Sequence, residues 1–477
     1  MARLAVVLYL LFAPLSTASV FIGGRRVEFS LLLASLLALW WLAGFLTLRI
    51  GVSREGDGWS FLFWLFVGWM AASLLASAYL SESWVLGVIQ LVGMAVVLLA
   101  SMYVSRSAAE RPGAYAAYAR VLTWAVVLIA AVGAWQFFAF NVLGVGFLAD
   151  FSWVNDLTVG PGAREMVWRD PGNMGPLRRA NSVLAEPAFF AQTLGMVGGV
   201  MLLRLGLMGR SLGSSLSGVV PRWAAFLVLV GFAVALSIVG YILLVLTVAS
   251  LVALLTRFDL RSLLRMLFAG TVTVVLGGLL ILVSGEAFVN KLKTIPLVYS
   301  AATGGVQTLL LEQVSALVLA ANVSVALGNL EDYPLLGVGP GGHPPSYDVL
   351  VLSWVRTIPD IIGISQEDGG ALLIRLLSET GVIGTALFLL GWLIVVLRAR
   401  RAIQRALAFH RNDRSRPSAA LAAAVGVTAS CMALFVVYLL RMAIYYDPVV
   451  WLPIALTAAV PPLLNREYGG FKARFGR

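Results

Sequence analysis

Residues 223–256 read WAAFLVLVGFAVALSIVGYILLVLTVASLVALLT, a stretch without a charged side chain. As one helix it would extend about 50 Å, whereas the hydrocarbon core of a bilayer is about 30 Å thick. Ser237 and Gly240 lie near its middle. The stretch therefore predicts two membrane-spanning helices, 222–237 and 240–256, joined by a tight turn.

Apolar runs of similar length recur along the whole chain. They cover 4–22, 30–48, 59–79, 84–104, 121–147, 183–203, 263–284, 371–397, 418–440 and 448–464. The 477 residues are 60% hydrophobic and 12% charged, with a mean hydropathy of +0.93, which excludes a cytosolic enzyme and a disordered scaffold. We expect an all-α polytopic membrane protein with about twelve transmembrane helices in one membrane domain, 1–477. The run 4–22 is interpreted as a retained span rather than a signal peptide.

The charges support this topology. With the N-terminus in the cytoplasm, the inner segments hold 23 basic and 6 acidic residues, and the outer ones hold 11 and 17. That asymmetry is what the positive-inside rule predicts. The net charge of +11 is thereby explained without nucleic acid as a partner.

Two outer segments are long, 150–181 and 285–370, and long ordered loops are usually functional. The second contains 309–327, which has no charge except Glu312. This run predicts a helix on the outer bilayer surface or, alternatively, a thirteenth span. A thirteenth span would place the C-terminal arginines outside, against the charge rule.

Several kinds of site are excluded or disfavoured. One cysteine, Cys431, cannot form an intrachain disulfide, and His343 and His410 fall on opposite membrane faces, so they cannot share a zinc ion. The chain has neither a nucleotide-binding P-loop nor an H-E-x-x-H motif. The glycine-rich residues 337–342 lack a strand–helix context and are interpreted as a turn in which backbones approach closely.

The first large loop contains arginines on the outer face, against the charge gradient. They include Arg164 and the pair Arg178-Arg179, which precedes Glu186-Pro187 at the start of the next span. Arginine presents a planar fork suited to phosphate oxygens, and an ionisable group at bilayer-entry depth is usually functional. Alternatively, the arginine pair binds lipid headgroups and Glu186 only caps a helix.

The second large loop contains His343, the one histidine on the outer side, and Arg356. A histidine can act as a general base near neutral pH, although a surface histidine without a role is an equal alternative. Beyond this loop, Arg375 and Glu379 lie four residues apart on one helix face and predict an ion pair that orients the span.

Four motifs in this order resemble those of the bacterial O-antigen polymerase and O-antigen ligase superfamily. They are Arg179…Glu186-Pro187, Ser237-x-x-Gly240-Tyr241, Pro334-Leu335-Leu336-Gly337-Val338-Gly339 and Leu377-Ser378-Glu379-Thr380-Gly381-Val382-Ile383-Gly384. Ligases usually have an arginine where Tyr241 stands and a His-Asn pair before the leucine-rich helix, where this chain reads Gln366-Glu367-Asp368-Gly369-Gly370. The resemblance therefore favours a polymerase over a ligase.

The resemblance implies a C-type membrane fold and a glycosyltransferase that needs neither metal nor cofactor. Its donor would be an undecaprenyl-diphosphate-linked oligosaccharide at the periplasmic face of the bacterial inner membrane, with membrane lipids and a chain-length regulator as partners. Glu186 and His343 are the candidate bases. Arg164, Arg178, Arg179, Arg356 and Tyr241 are the candidate substrate-binding residues. A flippase or transporter of lipid-linked oligosaccharide is the alternative of another class, although we find no internal repeat typical of transporters.

Overall fold

The part of the chain that the structure describes is almost entirely helical. In this computed structural model the described residues are 2–15, 19–22, 25–47, 58–77, 79–152, 170–171, 173–174, 177–184, 186–256, 314–353, 355–357, 366, 369–413, 416–441 and 445–475. The predicted span 263–284 and Arg164 lie outside them.

The described residues contain sixteen α-helices, two antiparallel hairpins, a π-helical segment (Ala139–Leu143) and three short 3-10 helices. The helices are α1 (Ala2–Phe12), α2 (Phe29–Leu46), α3 (Phe61–Leu75), α4 (Leu80–Ala109), α5 (Pro112–Phe138), α6 (Pro187–Gly195), α7 (Gly198–Arg204), α8 (Arg210–Ser215), α9 (Arg222–Val234), α10 (Ile238–Leu255), α11 (Val314–Asp332), α12 (His343–Leu350), α13 (Leu372–Asp413), α14 (Ala419–Arg441), α15 (Pro448–Ala458) and α16 (Val460–Phe475). The hairpins pair β1 (Ser19–Ile22) with β2 (Arg25–Glu28), and β3 (Asn173–Met174) with β4 (Leu177–Arg178).

The length and hydropathy of several of the helices are those of membrane-spanning segments. Within the described residues, seven are long and apolar enough to cross one, or eight if the bent pair Arg210–Gly218 and Arg222–Val234 is one span. Large apolar side chains such as Leu39 and Phe61 are more than 60% exposed. Apolar side chains on the outside as well as in the core are what a lipid surrounding permits. The protein is thus a helical polytopic membrane protein, while the count of about twelve spans stays a prediction.

Several of the predicted spans differ in the structure; for example, 448–464 is divided into α15 and α16. The run 4–22 is shorter than predicted, because α1 ends at Phe12, and Pro14 cannot continue a helix. The run 183–203 is divided into α6 and α7. By contrast, the break predicted inside 223–256 is confirmed, since α9 ends at Val234 and α10 begins at Ile238.

Helix α11 covers most of the run for which we predicted a surface helix or a thirteenth span. Leu317, Ala320 and Ala321 on this helix are fully buried, and α11 packs on α12 and α13. It is not among the seven helices of membrane-spanning length and hydropathy in the described residues. Its apolar side is therefore covered by protein rather than presented only to lipid.

Helix α14 forms the centre of the bundle, where it contacts α5, α6, α7, α10, α13 and α15. Its seven alanines and Gly426 allow neighbouring backbones to come close. A Cβ at Gly199 of α7 would lie 2.2 Å from the carbonyl oxygen of Gly426 in α14, so these two backbones touch. The helices that carry the candidate site are thereby fixed around α14.

Candidate functional site

The four sequence motifs form two contacting pairs. In the first pair, the segment before α6 packs on the turn between α9 and α10. The Ala180 amide donates to the carbonyl oxygen of Val234 at 3.1 Å, and the Tyr241 hydroxyl donates to the last turn of α9 at 3.4 Å. A Cβ at Gly240 would lie 2.9 Å from that of Ala191, so the turn also packs against α6. Arg179, Glu186 and Tyr241 therefore belong to one end of the bundle.

Two side chains of the preceding helical segment hold the backbone that carries the arginine pair. Oε1 of the buried Gln136 accepts hydrogen bonds from the amides of Asn181 and Ser182, both at 2.8 Å. Asn141 donates to the Arg178 carbonyl oxygen and accepts from its amide, again at 2.8 Å. The arginine pair is thus displayed from a fixed backbone rather than from a loose loop.

The two arginines of the pair differ in their contacts. The guanidinium of Arg178 lies 2.5 Å from Asp170 and stacks 4.0 Å from the centroid of the Phe140 ring. Arg179 is half-buried and, within the described residues, donates no hydrogen bond; its Nε is enclosed without an acceptor. Burial lowers the pKa of Arg179, while the nearby carboxylates of Glu186 and Asp170 act in the opposite direction.

Glu186 precedes α6 in an extended conformation, and Pro187 occupies the first helical position, where a proline fits well. The Glu186 side chain does not cap its helix and lies 3.8 Å from the guanidinium of Arg441, at the end of α14. We call Arg178, Arg179, Glu186 and Arg441 the arginine cluster. Sequence reasoning missed Arg441, although it shows the same signal as the pair, a basic residue at the outer end of a predicted span.

The second pair of motifs meets at a break in α13. Gly381 has φ +63° and interrupts the helix, and a Cβ there would lie 2.3 Å from the Leu335 carbonyl oxygen. The glycine loop (residues 334–342) replaces the lost helical hydrogen bonds. These bonds are Val338 N to Ser378 O (2.9 Å), Gly339 N to Glu379 O (3.0 Å) and Val382 N to Pro334 O (2.9 Å). Residues 337–342 thus form the close backbone approach that the sequence predicted.

His343 lies inside the protein. It is fully buried, with Nε2 at 3.0 Å from Asn322 Oδ1 and Nδ1 at 2.9 Å from Ser378 Oγ. The Asn322 amide nitrogen donates elsewhere, to the Val318 carbonyl oxygen, so its oxygen accepts and the ring proton is assigned to Nε2. Burial, with a smaller contribution from the charge of Arg375, lowers the pKa of His343 to about 3. The ring is therefore neutral and both nitrogens are occupied.

The predicted ion pair of α13 is confirmed and is completely enclosed. Arg375 Nε lies 3.3 Å from Glu379 Oε1, and the guanidinium lies 5.5 Å from the centroid of the Tyr445 ring. Glu379 also accepts from the Gly341 amide at 3.1 Å and from the Tyr445 hydroxyl at 2.8 Å. That hydroxyl also contacts the buried Gln90 amide. We call these five residues the buried cluster.

The two clusters are neighbours along the chain. Arg441 and Tyr445 are four residues apart, so their Cα atoms are separated by at most about 15 Å. The remaining candidates lie elsewhere: Arg356 donates to the carbonyl oxygens of Asp348 and Val349 at the end of α12, at 2.6 and 3.1 Å. The position of Arg164 is outside the described residues.

The end of the stretch 366–370, in which this chain differs from the ligase pattern, lies beside His343 in the structure. In this stretch, where ligases usually have a His-Asn pair, the last two residues, Gly369 and Gly370, both have positive φ. A Cβ at Gly369 would lie 3.5 Å from Nε2 of His343 and 3.6 Å from Cβ of Arg375. The imidazole of α12 therefore packs against the stretch that lacks a histidine of its own.

Comparisons with known proteins give no family assignment. No protein-family model matches the chain, and a search of the curated proteins finds no match. Within the described residues, no three or more His, Cys, Asp or Glu side chains are grouped so that they could hold a metal ion.

Proposed function

We propose that the protein is a polysaccharide polymerase. It would transfer a growing glycan from undecaprenyl diphosphate to the next lipid-linked repeat unit, at the periplasmic face of the bacterial inner membrane. The observation that carries the proposal is Arg179, a half-buried guanidinium that donates no hydrogen bond within the described residues. It lies in a cluster with two more arginines and one carboxylate.

The chemistry of Arg179 favours an oxyanion as its partner. Buried donors are normally satisfied, and a guanidinium matches the two oxygens of a phosphate. A diphosphate that remains on a lipid tail reaches such a group from the membrane, which the apolar exterior of the bundle supports. Arg441 supplies a second positive charge from α14, beside Glu186.

The reaction that we propose is a single displacement. The acceptor hydroxyl oxygen forms a bond to C1 of the donor sugar, and the bond between C1 and the diphosphate oxygen breaks, leaving its electron pair on the diphosphate. Glu186 takes the hydroxyl proton. Arg179 and Arg441 stabilise the charge that develops on the diphosphate.

The contacts favour Glu186 over His343 as the base. The Glu186 side chain keeps 30% of its surface exposed, whereas His343 is sealed and uses both ring nitrogens within the protein. A base must come within hydrogen-bond reach of the hydroxyl that it deprotonates. We therefore assign His343 to holding α12 against α13.

The test is a reconstitution in liposomes with a lipid-diphosphate-linked repeat, without metal or nucleotide sugar. The proposal predicts a ladder of lengthened lipid-linked glycans from the natural chain and none from Arg179→Gln. Without a ladder from the natural chain, the polymerase is rejected. Transfer to added lipid A–core instead of a ladder would establish a ligase.

A lipid-linked oligosaccharide flippase is the second candidate, and the break at Gly381 is the observation that favours it. Discontinuous helices beside buried charges are typical of transporters. Here the break adjoins Arg375 and Glu379. In the same liposomes, labelled lipid-linked sugar that changes leaflets without lengthening would favour this candidate.

A further inference from the structure

Arg375 has too few partners for a buried arginine. Its side chain is 4% exposed, and its contacts are the ion pair with Glu379 and the face of Tyr445. Within the described residues, Nε of its guanidinium is enclosed without a well-aligned hydrogen-bond acceptor, although it lies 3.3 Å from the carboxylate. Buried charges in proteins are normally both paired and hydrogen-bonded.

Glu379, by contrast, has hydrogen-bond partners for both of its carboxylate oxygens. Its two carboxylate oxygens accept hydrogen bonds from the Gly341 amide and the Tyr445 hydroxyl. The carboxylate is therefore satisfied largely without the N–H groups of Arg375. The ion pair balances the charge of the arginine, but it leaves the buried Nε without a well-aligned acceptor.

The position of Arg375 in its helix points the same way. The first half of α13 runs from Leu372 to the break at Gly381, and Arg375 lies in its first turn. The N-terminus of a helix carries the positive end of the helix dipole and favours anions, so a cation there is unfavourable. Gly369, just before the helix, has φ +69°, and a Cβ there would lie at ordinary contact distance, 3.6 Å, from Cβ of Arg375.

We propose that Arg375 and the N-terminal turn of α13 form a second oxyanion site, distinct from the arginine cluster. Its ligand is a group with two oxygens that accept from the guanidinium fork, either a phosphate of the lipid carrier or the carboxylate of an acidic sugar. Which of these it is rests on the proposed function; that an oxyanion binds does not.

The test measures binding without turnover, in detergent-solubilised full-length protein. Sodium pyrophosphate, phosphate or glucuronate is titrated at constant ionic strength, and the melting temperature is followed. The titrations use an Arg179→Gln background, so that the arginine cluster contributes less to the signal. Removing Arg375 alone would leave Glu379 buried without its cation, so the test variant is the double change Arg375→Met with Glu379→Gln, which leaves the pair uncharged. Arg356→Met is the matched control, since it removes an exposed arginine instead.

We expect a saturable rise in melting temperature in the background and in the control, with an affinity at least about tenfold weaker in the double variant. A tighter response to pyrophosphate would assign the ligand to the carrier, and a tighter response to glucuronate would assign it to an acidic sugar. Equal binding by the double variant, or no saturable response to any of the three anions, would overturn the proposal. Either result is obtained whether or not the protein makes polymer.

Discussion

At the scale of single residues, the arginines divide by what their N–H groups do. Arg178 is fixed by Asp170 and Phe140, and Arg356 by two carbonyl oxygens. Within the described residues, the Nε atoms of Arg179 and Arg375 are enclosed without an acceptor. Arg178 and Arg356 thus contribute to the fold through their contacts, and Arg375 contributes as the buried counter-charge of Glu379. In the described part of the chain, Arg179 has no comparable ion pair and is the arginine that we propose to bind the diphosphate.

Replacing Arg179 should therefore separate function from stability. We expect Arg179→Gln to change the free energy of unfolding by less than about 0.5 kcal/mol. Polymer formation should fall by a factor of about 100 or more, as when one donor to a developing oxyanion is removed. Thermal unfolding in detergent and the liposome ladder measure the two effects. A large drop in melting temperature would show instead that Arg179 is structural.

Glu186 and His343 should respond differently to the same change. Glu186→Gln removes the proposed base from a partly exposed site, so we expect loss of polymer with little change in melting temperature. His343→Gln disturbs the bonds to Asn322 and Ser378, so we expect a loss of roughly 1–3 kcal/mol of stability with polymer still formed. The opposite pattern, a stable but inactive His343 variant, would make the histidine the base.

The burial of His343 also predicts a pH dependence. Its pKa is lowered to about 3 in the folded protein, against about 6.5 in an unfolded chain. Below pH 6.5 the unfolded chain binds a proton that the folded protein excludes, so stability falls as the pH falls. At pH 5 this loss is roughly 2 kcal/mol. The measurement compares how far the melting temperature falls between pH 7.5 and pH 5 in the natural chain and in His343→Gln. We expect a smaller fall in the variant, and an equal fall would contradict this prediction.

At the scale of elements, the break in α13 depends on a glycine at one position. Gly381→Ala would place a methyl group 2.3 Å from a carbonyl oxygen at a positive φ, so we expect a loss of about 2–4 kcal/mol. Gly68 is the matched control, because it lies in α3 with nothing within 4 Å of its missing Cβ. Gly68→Ala should be neutral or slightly stabilising. Equal melting temperatures for the two variants would be inconsistent with this account.

The elements also show what periodicity and length can predict. The turn between α9 and α10 follows from an apolar run too long for one crossing. The breaks at Gly381 and between α6 and α7 do not follow from length or periodicity, because a glycine inside an apolar run is compatible with a continuous helix. At Gly381 the replacement hydrogen bonds come from the glycine loop, about 40 residues earlier. In the same way, charge and depth in the sequence are enough to predict Arg179 and Glu186 as candidates, whereas the partners of His343 come from two other helices, α11 and α13.

At the scale of the whole molecule, the prediction to test is which side of the membrane each loop faces. Cys431 is the single cysteine and is buried, so maleimide labelling of an introduced cysteine has little background from the natural chain. We expect an impermeant maleimide to label the exposed Ser152→Cys from the periplasmic side. The exposed Arg401→Cys should react only after the membrane is permeabilised. Reversed labelling would place the arginine cluster in the cytoplasm and reject the proposed reaction.

The buried cluster also constrains the order in which the protein can be made. Trp69 and Ser73 of α3, which donate to the carbonyl oxygens of Thr380 and Glu379, are synthesised about 300 residues before them. Tyr445 follows Glu379 by 66 residues. At the usual rates of translation that interval lasts roughly 3–13 s. During that interval a nascent chain contains Arg375 and Glu379 but not Tyr445, which contacts both of them. We therefore expect a chain that ends before Tyr445 to be degraded faster by membrane proteases than the full chain.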